Sequence, residues 1–325
     1  MSRRTPFVTT LVTLPVLLGG CGLGQSVAGI HDAPTESSDG AAITEGAGRD
    51  VAARVLDRAA ERREEGAKAT AEDRAELFSG PALREADAAA RTDDDGDAAE
   101  EHEDLTVLGI SRGSDWPRAV LATSRDGDVQ RLHVLVSEDA DRAYRLFADV
   151  PMAAGASVPA LAPAAEGAPV TVSDAPDEAV TSAADAWAKG VAYPTPSTAP
   201  SGVSFEDAFS SALAKNAKAE DEDLDDLADY RQRQARVDAD SVTFDLAGGG
   251  QLSFLPMTRT DTITASDELK ELKVEDSALE GVLDAATVES SLSIKHAETL
   301  ALVTPGSGTA KVVGVSDVLH SATGS

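Results

Sequence analysis

The sequence predicts an α+β protein built as two tandem domains, each with helices first and an antiparallel sheet second, after a signal peptide and a disordered tether. Three observations carry that expectation. Apolar residues recur at helical spacing in two blocks, within 49–91 and 177–236; each block gives way to period-two alternation; and a proline-rich stretch at 156–176 separates the two rounds. The boundaries that follow are 1–20 for the signal, 21–48 for the tether, 49–155 for the first domain, 156–176 for the linker and 177–325 for the second domain.

The chain opens with an export signal. Met1 to Arg4 carry two positive charges, Phe7 to Leu18 form a mostly apolar stretch, and Gly19 and Gly20 supply the small residues a cleavage enzyme needs. A membrane span needs about 20 apolar residues, and this shorter stretch is interrupted by Thr9, Thr10, Thr13 and Pro15. Arg3-Arg4 invites a twin-arginine reading, but Pro6 displaces the hydrophobic residue from its usual spacing and favours ordinary secretion. The only cysteine, Cys21, comes next, and Leu18-Gly19-Gly20-Cys21 resembles the lipobox of bacterial lipoproteins. The resemblance implies cleavage before Cys21, a diacylglyceryl group on its sulfur and a lipid-anchored location on the outer face of the cell membrane. Two acyl chains at roughly 0.8 kcal/mol per buried methylene anchor firmly, whereas one binds marginally. An acylated Cys21 leaves no thiol for a disulfide, a metal site or a nucleophile.

Charge narrows the function classes. With 57 acidic against 28 basic residues the formal net charge is -29, and losing residues 1–20, which hold two arginines and no acid, takes it to -31. Such a field repels phosphates, which argues against a nucleic-acid partner and against adhesion to an anionic bilayer surface. Arginine dominates lysine, alanine is abundant and Asn216 is the single asparagine, a composition like that of a high-GC bacterium. Aromatic residues make up only 4%, so the cores must be built from Val, Leu and Ala, with few platforms for stacking bases or sugars.

The elements follow in order. Residues 22–48, rich in Gly, Ser, Ala and acid without period, read as a disordered tether of about 30 Å root-mean-square span. "RDVAARVLDRAAERREEG" from Arg49 is helical, with Asp50 as its cap and Gly66 as its stop; a second helical stretch, Ala71 to Arg91, is broken by Gly80-Pro81. Strands follow at 105–110, 118–124, 130–137 and 142–150, the middle pair joined at an Asp126-Gly127 hairpin signal. After the linker, helices are expected at 176–190, 204–219 and 222–236, then strands at "SVTFDL", "GQLSFLPMTRTDTIT", "SSLSIKHAETLALV" and "AKVVGVSDV", with "AGGGQ" (247–251) as a turn between the first two. Leu132–Ser157 and Leu300–Ser325 align without a gap, Asp149 falling on Asp317 and Val150 on Val318, which hints at duplication.

Two further resemblances bear on family and shape. The lipobox, "FSGPAL", "DWPRAVLATS", "YRLFADVPMAAGASVP" and "VVGVSDVLHSATG" together resemble a family of uncharacterised actinobacterial lipoproteins, which brings no biochemical activity with it. Against that family the acidic segments 92–104 and 219–229 read as insertions. The repeated helix-then-strand plan is similar to nuclear transport factor 2-like cones, in which a curved sheet wraps helices; this implies cone-shaped domains and transfers no function.

Catalytic and metal motifs are weak. "RTDDDGDAAEEHEDL" fails as a calcium loop, because Gly96 at position six puts Arg91 at position one and His102 at position twelve. "EDEDLDDLAD" (220–229) reads as a charged helix face with Leu224 and Leu227 turned inward. His31, His102, His133, His296 and His320 show no zinc spacing, and neither a nucleophile elbow, a phosphate loop nor a dinucleotide fingerprint is present. Trp116 and Trp187 read as core or domain-contact residues. The converging expectation is a membrane-tethered extracytoplasmic protein that binds a ligand or an envelope protein, or scaffolds, with the lipid on Cys21 as its membrane contact and with no catalytic residue, cofactor or metal assigned. Two alternatives stay open: a small-molecule enzyme using a cone pocket lined by His133, Asp115 or His296, and a lipid or glycolipid carrier, which needs a larger apolar cavity.

Overall fold

The computed structural model describes residues 40–92, 102–269, 271–274, 276–283 and 287–325. Leu18, Gly19, Gly20, Cys21, His31 and the centre of the acidic loop at 93–101 lie outside them. Among the described residues the fold is α+β with antiparallel sheets, as expected, and carries six α-helices. No helix there is long and apolar enough to cross a membrane.

The first helix, α1 (Glu45–Glu64), is capped by Thr44, whose side chain accepts from the Ala47 N–H at 3.2 Å. It therefore begins ahead of the expected cap Asp50, inside the stretch expected to be tether. Glycine disfavours a helix interior by roughly 1 kcal/mol, but a Cβ on Gly48 would stand 3.2 Å from Ile110, so close packing outweighs propensity here. Ala41 and Ala42 are likewise tied down, by a bridge to Arg112 and by the Ser111 carbonyl. A capping box of Thr70 and Asp73 starts α2 (Ala71–Leu77), and α3 (Gly80–Thr92) follows the expected break. Gly80 has φ +52°, and a Cβ there would run into the Phe147 ring, so glycine is required.

The first sheet is a meander, β1 (Glu103–Ile110), β2 (Arg118–Asp126), β3 (Val129–Ser137) and β4 (Arg145–Pro151), in that spatial order. Asp126 pairs with Val129, so Gly127 and Asp128 close the β2–β3 hairpin. The expected linker holds a strand, β5 (Val170–Ser173), which pairs with residues 241–244 of the second sheet; Ser111–Ala168 and Leu161–Leu246 bridges attach the same stretch to both sheets. Its prolines hide the alternation that would have marked it.

After α4 (Glu178–Gly190) and α5 (Ala208–Leu224), the expected helix at 222–236 is not formed. The chain makes a short 3-10 turn at Asp225–Leu227 and enters β6 (Ala228–Arg236), in which Ala228, Tyr230, Gln232 and Gln234 are buried and the residues between them exposed. Period-two burial and pairing with residues 257–265 decide the matter. Leu224 packs against apolar neighbours as expected, but Leu227 is 48% exposed rather than turned inward. Strands β7 (Ser241–Asp245), β8 (Gly250–Ala265), β11 (Ser291–Pro305) and β12 (Lys311–Gly324) complete the second sheet in the order β12-β11-β8-β7-β5, with β6 beside β8 in line with β7. The two-residue strands β9 (Leu272–Lys273) and β10 (Thr287–Val288) pair with each other, and α6 (Ser277–Leu283) lies between them in sequence.

Alternation along the strands splits the core into layers. Val120, Ala122 and Leu135 face Leu56, Leu77 and Phe78 of the N-terminal helices. Their neighbours Leu121, Leu132 and Val134 face Phe244, Phe254 and Ala301 of the second sheet. Leu255, Leu300 and Leu302 face Trp187 and Val180 of α4 on the far side. Helices, sheet, sheet and helices are thus stacked, and the two helix-then-sheet halves share one hydrophobic cluster between the sheets. Where β4 runs on into Met152 it bridges Gly314 of β12, and a Cβ on Gly314 would stand 2.4 Å from the Pro151 carbonyl oxygen. The aligned segments 132–157 and 300–325 fall on the last hairpin of each sheet, β3–β4 and β11–β12.

Candidate functional site

Two polar centres and one groove stand out. The first centre lies on the helix-facing side of the first sheet. Register puts His133 of β3 opposite Asp149 of β4 and Ala122 of β2, with Ser124 two residues further along β2. His133 Nδ1 lies 3.2 Å from Asp149 Oδ1, and its Nε2 is 2.8 Å from Ser124 Oγ. Arg131 Nε donates to Asp149 at 2.9 Å, and Arg63 reaches down from α1 to the other carboxylate oxygen at 3.0 Å. Burial would raise the Asp149 pKa; the guanidiniums of Arg131 and Arg63 and the bond from His133 outweigh it and hold the carboxyl well below the usual range. The Ser–His–Asp order looks like a nucleophile relay. Ser124 is 1% and His133 0% exposed, so no reactant reaches the hydroxyl, and the arrangement is a sealed ion pair.

The second centre is more open. On β8, Arg259 donates Nε to Asp261 at 2.9 Å and pairs with Asp317 of β12 through Nη1; Glu298 of β11 is 3.6 Å away. His296 Nδ1 is 2.8 Å from Asp317 Oδ1, with Asp261 3.7 Å from the other ring nitrogen. Burial works to raise Asp317, but the His296 bond and Arg259 lower it overall; burial and then Asp317 push Glu298 well above the carboxylate range. His296 and Asp317 line a pocket of about 310 Å³ with Ile294, Leu319 and residues of α6. An imidazole held by a carboxylate at a pocket wall is equipped for proton transfer.

The groove lies between α4 and β6, about 580 Å³ in volume, within the roughly 300–1,000 Å³ usual for ligand sites. Its charged lining is Lys189, Arg233 and Arg236 against Asp185, a local excess of positive charge on a strongly acidic chain. Asp185 pairs with Arg236 at 2.7 Å, which leaves the excess on Lys189 and Arg233. Gln234 lines it too. This residue is 8% exposed, and neither its amide nitrogen nor its oxygen has a hydrogen-bond partner among the described residues. An unsatisfied buried polar group costs about 1–3 kcal/mol, so the groove holds a standing unmet demand for one donor and one acceptor.

The expected residues therefore separate. His133 and His296 belong to different centres, and Asp115 is exposed in the β1–β2 loop, bonded to neither; the carboxylates that serve them are Asp149 and Asp317. Trp187 is buried and donates to Ser210 Oγ at 2.9 Å, whereas Trp116 sits at the surface under the Arg118 guanidinium. His102 stands edge-on to His133 with centroids 5.3 Å apart, and burial lowers its pKa. Among the described residues no group of three or more His, Cys, Asp and Glu is arranged to hold a metal ion. Sequence reading missed Arg131, Arg259 and Gln234; the signal was the two-residue spacing of Arg131 with His133, Arg259 with Asp261 and His296 with Glu298, which puts each pair on one strand face. Comparison with protein-family models, with curated proteins and with solved structures returns no match to this chain.

Proposed function

We propose that the protein is a lipoprotein, anchored through Cys21 to the outer face of the cell membrane, that binds a ligand or envelope partner in the α4–β6 groove. The observation that carries this reading is the Gln234 amide, buried in the groove wall with both polar atoms unpartnered beside Lys189 and Arg233. The two helix-then-sheet halves, 49–155 and 177–325, act in this reading as tandem domains, stacked sheet on sheet, that hold the groove rigid. A photo-crosslinking residue at Ala235, on the groove lining, should form an adduct in intact cells, and one at the remote exposed Val129 should not. Equal yields at the two positions would reject the groove. Anchoring is tested separately: a palmitate analogue should label the wild type and not Cys21→Ala, and equal labelling would reject it.

A second reading has one observation of its own. The His296–Asp317 pair on the wall of the 310 Å³ pocket supports acid–base work on a small molecule. It requires that His296→Ala abolish turnover of any substrate found while leaving Ala235 crosslinking unchanged.

A further inference from the structure

The sheet is incomplete where the groove lies. β5 occupies the row outside β7, pairing with it from Val170–Phe244 to Ser173–Ser241, but the same row beside the collinear β6 holds only Tyr193, which exchanges backbone hydrogen bonds of 3.0 and 2.9 Å with Gln232. Val237 donates to Pro256 of β8 at 2.9 Å, so by antiparallel alternation residues 235 and 233 turn their backbone groups toward β8. Those of Gln234, like those of Gln232, point the other way. Beyond Tyr193 the chain passes through Pro194 and Pro196, which also line the groove and, having no N–H, cannot extend the ladder.

We propose that the groove takes an extended acidic peptide, added to β6 as a short strand at Gln234. This rests on the binding reading above and names its ligand class. The backbone of Gln234 offers one N–H and one C=O at an unpaired edge, and its side-chain amide offers a second such pair from the groove wall; a peptide backbone, which alternates donor and acceptor, satisfies both. Lys189 and Arg233 supply the complement for carboxylates, and a basic peptide would meet repulsion instead. The small side chains of Ala188, Ala192 and Ala235 leave the width that a backbone needs.

The test is fluorescence anisotropy with the mature chain and a labelled five-residue peptide of alternating valine and aspartate. Saturable binding is expected, weakened about tenfold or more when the aspartates become lysines or when Arg233 becomes Glu. Methylating the peptide amides one at a time should weaken binding at alternate positions only, because only those face β6. Arg233 Nη1 also donates to the Tyr193 and Gln232 carbonyls. Exposed Lys189, which makes no such contact among the described residues, is therefore reversed as well, and Lys189→Glu and Gln234→Leu should each give an independent loss with an unchanged circular dichroism spectrum. Equal affinity for the lysine peptide, indifference to methylation, or no binding up to millimolar concentration would overturn the proposal. A rise in affinity on deleting residues 22–39 would overturn it as well, since the groove would then belong to the chain's own tether. A silent peptide series with a positive Ala235 crosslink rejects the peptide and keeps the groove; silence in both rejects the groove itself.

Discussion

Replacing Glu85 by glutamine should remove a pH dependence from the stability of the fold. Glu85 projects from α3 and accepts hydrogen bonds from Thr299 of β11 and, at 2.6 Å, from Ser316 of β12. It is thus a polar tie from an N-terminal helix to the C-terminal sheet. Burial pushes its pKa from 4.5 up to about 7, although the two hydroxyl bonds oppose the rise. A folded value above the unfolded one means that the group's contribution is fully present below about pH 4.5 and is lost as pH rises through about 7. At about 1.36 kcal/mol per unit, that gap amounts to about 3 kcal/mol. This is a large share of the roughly 5–15 kcal/mol that a fold has in hand. Glutamine keeps the acceptor oxygen for both hydroxyls and cannot ionise. Urea unfolding followed by far-ultraviolet circular dichroism, repeated from pH 5 to pH 8.5, should show the wild type losing about 2.5 kcal/mol more than Glu85→Gln, the rest of the gap lying below pH 5. Glu298, also held above its ordinary range, is raised in part by the Glu85 charge itself, so the difference between the two proteins includes the relief of that repulsion. Parallel profiles would refute the reasoning, because a carboxyl that titrates alike in both states cannot be desolvated.

Other outcomes follow from the same packing. Arg131→Leu leaves the Asp149 carboxylate buried with half its counter-charge gone, and should cost about 3–5 kcal/mol in urea unfolding. Because Asp149 is held below its ordinary value, its stabilising effect is present above about 3.8 and lost as pH falls through the folded value, so the variant's acid-unfolding midpoint should also move upward. Gly314→Ala drives a methyl into the Pro151 carbonyl where β12 meets β4, and should lower stability by about 1–3 kcal/mol, read as a fall in Tm.

Much of the fold was legible because its strands are short apolar runs bounded by turn residues. "QRLHVLVS" and "RAVLATS" announce themselves, since each strand of the first sheet is packed on both faces by Val, Leu and Ala and flanked by turn residues. β6 was not legible. Its inward positions include Gln232 and Gln234, which carry no apolar signal, and Arg231, Arg233 and Arg236 beside them favour helix by propensity. Tertiary pairing with β8 overrides that preference. The start of α1 was hidden for the opposite reason, as Gly46 and Gly48 look like tether until Ile110 is seen to need the space. The histidines on strands could be picked out by alternation, but their partners could not. Which carboxylate faces His133 depends on the β3–β4 register, and a shift of one residue would have turned Asp149 to the other face.

Each of the two ion centres joins an aspartate of a closing strand, Asp149 on β4 or Asp317 on β12, to an arginine and a histidine. Arg259, however, comes from β8 rather than from the closing hairpin. Their electrostatics nevertheless diverge. Around Asp149 two guanidiniums meet one carboxylate, so the buried anion is fully countered. Around Arg259 one guanidinium and the His296 imidazole meet Asp261, Glu298 and Asp317, and burial raises Glu298 well above its ordinary range. Three carboxylates around one guanidinium are costly to seal away, and this is the centre that keeps Asp317 and His296 at a pocket wall. The polar cluster of the first sheet is thus a buried structural clamp, while that of the second stays in contact with a pocket.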